Sequence, residues 1–174
     1  MKVLFAVSNE EISESIVKRY QKEYKEIISY KNVYYFNAIL KELQKDKTYD
    51  RIVISEDLEN FTSNQYDQID KFIFEKLDSI SDEASNYQGD NIPIILICAD
   101  RRTKSEQMLI KLFGISIYDA LLGPDRNIDE LCKLINKPRS KKEAKIYYKI
   151  DSEDVNYKPE NENDVSEVEI QNIL

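Results

Sequence analysis

The chain alternates short, nearly unbroken apolar runs with longer stretches in which apolar residues return every third or fourth position. Residues 2–7 (KVLFAV) form the first run, and a continuous run of this length predicts a strand covered on both faces. Ser8-Asn9-Glu10-Glu11 follows as a helix start with carboxylates in its first turn, and Ile12, Ile16, Val17 and Tyr20 continue at helical spacing. Residues 26–30 read as a second strand. Asn32 then caps a helix whose apolar stripe is Val33, Phe36, Ile39, Leu40 and Leu43. Residues 51–55 form the third strand, and 64–84 a long helix with Ile69, Phe72, Ile73, Leu77 and Ile80 on one side. After a polar loop containing Gly89, residues 92–99 give the most apolar strand of the chain. Residues 103–113 read as a helix ended by Gly114 in a left-handed cap. A fifth strand within 115–122 stops at Gly123-Pro124, and 127–136 is the last helix of the pattern.

Strands that alternate with helices and read as continuous hydrophobic runs imply a parallel sheet with helices on both faces. Right-handed crossovers leave few topologies, and a flavodoxin-like, doubly wound order 2-1-3-4-5 is the natural one for five strands. No internal repeat is present. From Lys137 the character changes: "KPRSKKEAK" (137–145) is a basic linker, and "IYYKI" (146–150) after it is expected as a short strand. Residues 151–164 have a disordered composition, and 165–174 resume helical spacing up to the final Ile173-Leu174. The expected organisation is therefore a domain over 1–137 and a charged linker and tail over 138–174, leading to a further C-terminal region.

Composition narrows the chemistry. The chain has no histidine, which removes the commonest general base and transition-metal ligand, and two separated cysteines do not make a zinc site. Cys98 and Cys132 lie inside apolar runs, as buried reduced thiols do. No run is long enough to span a bilayer, and the expected compartment is the cytoplasm. The net charge of −8 is concentrated at the end: residues 150–174 hold eight acidic side chains and one basic one, Lys158. The remaining body is nearly neutral and has no field that would draw nucleic acid. Three isolated glycines exclude a glycine-rich phosphate loop.

The third strand with its "YD" approach and polar exit, the "PIILICA" fourth strand, and Gly-Pro after the fifth resemble the receiver domain of response regulators, of the chemotaxis-protein (CheY-like) type. The resemblance covers residues 1–137 and implies bacterial-type two-component signal transduction. In that family a carboxylate pair after strand 1 and an aspartate ending strand 3 hold Mg²⁺, and the aspartate accepts the phosphoryl group. A hydroxyl after strand 4 and a lysine after strand 5 bind its oxygens, offsetting charge during transfer. Here the pair falls on Val7 and Ser8, the acceptor on Ser55, the hydroxyl on Cys98, the aromatic switch on Ala120 and the lysine on Gly123. Every slot departs from the pattern.

The resemblance thus implies a pseudo-receiver: a non-enzymatic, phosphorylation-independent module that acts by protein–protein contact on a C-terminal effector, with no cofactor. The alternatives are the N-terminal regulatory domain of a DNA-binding transcription regulator or of a pilus-localisation ATPase, or a Mg²⁺-dependent phospho-accepting receiver. For the last, Glu10, Glu56 and Asp57, with Asp100, are the candidate oxygen ligands. Against that, these carboxylates read as solvated loop groups, and Arg101-Arg102 as a solvated turn. The family's usual dimer surface, helix 4–strand 5–helix 5, places the candidate interface at Met108, Lys111, Leu112, Leu121 and Leu131. Arg139, Lys141, Lys142 and Lys145 are set either to contact nucleic-acid phosphates or to pair with the acidic tail.

Overall fold

Successive side chains on a strand point to opposite faces, and here each face meets its own apolar layer. The structure, a computed structural model, describes residues 1–62 and 64–151. Its strands β1 (Lys2–Ala6), β2 (Ser29–Asn32), β3 (Arg51–Ser55), β4 (Ile94–Ile97) and β5 (Asp119–Leu121) form one parallel sheet in the order 2-1-3-4-5. The fold is flavodoxin-like, as the alternating runs predict.

Leu4, Ala6, Ile52, Ile54, Leu96 and Ala120 pack into one core with helices α2 (Phe36–Lys45), α3 (Tyr66–Glu83), α4 (Gln107–Gly114) and α6 (Lys141–Tyr148). Val3, Phe5, Val7, Val53, Ile95 and Leu121 pack on the other face with α1 (Glu10–Tyr24) and α5 (Ile128–Asn136). Asparagines cap α1 and α5: the Asn9 side chain accepts the Glu11 amide and Asn127 accepts that of Glu130.

Several expectations are corrected locally. The second strand lies at Ser29–Asn32 rather than 26–30, leaving Ile27 exposed, so Asn32 ends β2 and does not cap α2, whose N-cap is Tyr35. Gly114 is the last residue of α4, and the left-handed residue is Ser116 (φ 66°). The segment after Lys137 is not a linker. Ser140 and Glu143 form a reciprocal capping box that starts α6, and Tyr148 at its end is fully buried. The tail from residue 152 onward, including the disordered and helical stretches expected there, lies outside the described residues.

Segment 139–148 seals the sheet. Among the described residues the outer edge of β5 has no neighbouring strand, and unpaired edge groups need another partner. The Ala120 amide donates to Tyr148 Oη (3.0 Å) and the Leu122 amide to Tyr147 Oη (3.1 Å). Tyr148 Oη donates to the Ile117 carbonyl (2.7 Å), and Arg139 Nη1 donates to the carbonyls of Tyr118 and Ala120 (3.1 and 2.7 Å). Arg139 also stacks 3.7 Å from the Tyr147 ring centroid.

Asp119, buried on β5, accepts the Arg139 amide at 2.7 Å. Burial pushes its carboxyl up to about 6 from 3.8, and the Arg139 amide and charge offset only part of that. A folded-state value above the unfolded one stabilises the protonated form. The contribution is full below pH 3.8 and is lost as pH rises through about 6. Between pH 7 and pH 5 this group should add about 1 kcal/mol of stability. Urea midpoints at those two pH values should show this gain in the unsubstituted chain relative to Asp119→Asn; an identical pH dependence in both would refute the assignment.

Candidate functional site

The carboxyl ends of the strands share one edge, where ligands of open α/β sheets bind. Strand parity decides what each side chain there can do. Ser55 shares its face with Val53 and therefore looks toward α1 and α5, where it lines a cleft of about 210 Å³. Val7, Ser8, Ile97 and Leu121 complete the floor, and Ile12, Arg126 and Ile128 stand on the walls. The Ser55 hydroxyl accepts the Asp57 amide at 3.2 Å. Arg126 donates through Nε to the Gly123 carbonyl (3.1 Å) and pairs with Asp100 on the rim. Among the described residues the cleft lining contains no carboxylate.

Three of the six receiver-like positions, Val7, Ser8 and Ser55, thus meet at this cleft. Cys98 and Ala120 are buried in the opposite core, and Gly123 (φ 54°) opens the 3₁₀ turn Gly123–Asp125. Burial and then the charge of Glu56 hold the Cys98 thiol well above its ordinary value, while burial raises that of Cys132 to about 11. Neither is set up as a thiolate nucleophile.

Glu56, one residue beyond Ser55, points to the other face. It is 1% exposed, which corrects its reading as a solvated loop carboxylate. Its Oε2 accepts the Ala99 amide (2.8 Å), and both oxygens accept Arg102 Nε (3.0 Å). Arg102 Nη2 reaches Glu56 Oε1 at 2.7 Å and Asp70 Oδ1 at 2.5 Å, so one guanidinium clamps the β3–α3 loop to α3. Arg102 is 0% exposed at its side chain and is no solvated turn; Arg101 pairs with Asp70 from outside and stacks 4.4 Å from the Tyr66 ring centroid. Burial alone would raise the Asp70 carboxyl, but hydrogen bonds from Arg102 and Arg101 outweigh it and hold it down to about 2.

The candidate metal ligands do not assemble. Glu10 sits exposed in the first turn of α1, both Glu56 oxygens are committed to Arg102, and Asp100 pairs with Arg126. Burial of its carboxyl, then the charges of Glu56 and Asp100, raise Asp57 above its ordinary value, although the residue as a whole is exposed. Among the described residues no group of three or more acidic or cysteine side chains is placed to hold an ion.

The candidate dimer surface is corrected as well. Met108, Leu112, Leu121 and Leu131 are 5%, 0%, 1% and 3% exposed, and only Lys111 faces solvent. The apolar residues chosen for that surface belong to the two cores, and α6 lies against α4 while its tyrosines cover the β5 edge. Among the described residues no helix is long and apolar enough to cross a membrane.

No family model matches the chain, and no curated protein does. A solved structure described as the trimeric coiled coil of yeast Spc42 fused to another structure is similar over 99% of this chain and 93% of its own. The TM-score is 0.50 and the identity 10%, a likeness of fold alone.

Proposed function

We propose that this protein is a receiver-like regulatory module that works without phosphorylation, through protein–protein contact on behalf of an effector region that follows it. One observation carries the reading: Ser55, at the β3 position where the resemblance places the acceptor, opens onto a cleft with no carboxylate among its described lining residues. Phosphoryl transfer to such an edge requires an acceptor and a charge-neutralising metal. The acid nearest to it in sequence, Glu56, is turned to the opposite face and neutralised by Arg102. With its outline kept and its charged groups replaced, the edge suits a scaffold whose state is not set by phosphate. Contacts of such a module fall outside the β5 edge, which Tyr147 and Tyr148 close.

The test is incubation of the full chain with acetyl phosphate and Mg²⁺, followed by intact mass and sedimentation velocity. The expected result is no phosphoryl adduct and an unchanged sedimentation coefficient. A stoichiometric adduct on residues 55–57 would end this reading.

A further inference from the structure

The α6 region carries more positive charge than its packing uses. Residues 137–149 hold six basic side chains and a single acidic one, Glu143. Arg139 is engaged by β5, and Glu143 by the capping box. Among the described residues, no carboxylate lies within ion-pair distance of Lys141, Lys142 or Lys149, nor of Lys104 or Lys111 beside them.

Lys141 and Lys142 occupy the first turn of α6, where the helix dipole disfavours cations. Aromatic rings give partial relief: Lys141 lies 6.0 Å from the Phe113 centroid and Lys104 4.3 Å from that of Tyr147. Between Lys142 and Lys149, about one turn from each, stands Ile146, which is 70% exposed. An exposed isoleucine set among uncompensated lysines is complementary to a segment that mixes carboxylates with aliphatic side chains.

The chain itself supplies such a segment. Residues 152–174 contain seven acidic side chains against Lys158, and Glu167 and Glu169 are interleaved with Val165, Val168 and Ile170. We propose that this acidic segment docks in cis on the basic face of α6, its carboxylates meeting Lys142 and Lys149 and its aliphatic side chains meeting Ile146. Chain connectivity favours this occupant over a free polyanion. The segment begins three residues after Lys149, whose left-handed conformation (φ 55°) turns the backbone off the helix axis. Tethering at that distance gives an effective concentration in the millimolar range. An eight-residue helix is about 12 Å long, well within reach of a chain that extends about 3.3 Å per residue. The inference does not rest on the receiver-like reading; it needs only the placement of α6.

A nitroxide attached to Ser166→Cys in the full chain tests it, since Cys98 and Cys132 are buried and resist labelling. At an ionic strength of about 0.02 M the label should at least halve the amide signals of Lys142, Ile146 and Lys149, and about 0.5 M salt should restore them. Lys142→Glu combined with Lys149→Glu should abolish the broadening, and both sites are exposed, so the fold is retained. Addition of a single-stranded oligonucleotide should leave the broadening in place. Intact α6 signals at low salt, or broadening that survives charge reversal, would overturn the proposal. So would displacement of the segment by the oligonucleotide with tight binding, because the face would then belong to nucleic acid.

Discussion

Replacement of Arg102 by alanine is expected to cost about 3–5 kcal/mol of folding stability, a large effect for a single change on a loop. Arg102 and Glu56 are 0% and 1% exposed at their side chains, and the guanidinium is the only cation in contact with Glu56 among the described residues. Removing it leaves a carboxylate in a low-dielectric site with only neutral partners, the Ala99 amide at 2.8 Å and the weakly donating Cys98 thiol, among the described residues. The penalty of an unpaired buried charge exceeds the net worth of the original pair. Asp70 loses less, because it stands 25% exposed and keeps Arg101.

A double variant separates this account from simple loss of packing. Glu56→Gln together with Arg102→Met should recover most of the loss, because glutamine still accepts the Ala99 amide and methionine refills the space. Urea unfolding of the single and double variants reads this. A loss below about 1 kcal/mol for Arg102→Ala, or a double variant no better than the single, would mean that the clamp is incidental. The clamp also bears on function. It ties the β3–α3 loop to the loop after β4 and to α3, so the side of the edge opposite Ser55 is fixed by a permanent ion pair.

The architecture was legible because β1, β3 and β4 are continuous apolar runs, and parallel strands buried on both faces announce themselves that way. The edge strand β2 was harder. Among the described residues only one of its edges is paired, its side chains are half-polar, and the apolar pair Ile27-Ile28 just before it is the stronger local signal. At the site, Ser55 was identified from its strand position. The inward turn of Glu56 followed from parity alone and was obscured by the assumption that acidic strand exits are solvated. Arg102 and Asp70 lie 32 residues apart and meet only through the fold, so no local pattern marks them. Segment 137–149 misled for a different reason. Its lysines read as a linker and its tyrosines as a strand, while the Ser140-x-x-Glu143 capping signature was present and decisive.

That segment supports the second large prediction: Tyr148→Ala should cost about 3–5 kcal/mol, as deletion of a fully buried aromatic ring does. The ring is 0% exposed and fills the core between β5 and α4. Its hydroxyl both accepts from the Ala120 amide and donates to the Ile117 carbonyl, and burial raises that hydroxyl's pKa so that it stays protonated and able to donate. Tyr148→Phe isolates the polar part. Two buried backbone groups lose their partner, for about 1–3 kcal/mol, with the ring left in place. Ending the chain at Lys137 removes Arg139, Tyr147 and Tyr148 together and opens the whole outer edge of β5. Such a chain should unfold or self-associate through the bared strand, whereas one ending at Asp151 keeps every described element. Urea midpoints for the point variants and sedimentation of the two shortened chains decide the matter. If the chain ending at Lys137 were a monomer of undiminished stability, α6 would be an appendage, and the domain would end where composition alone places it.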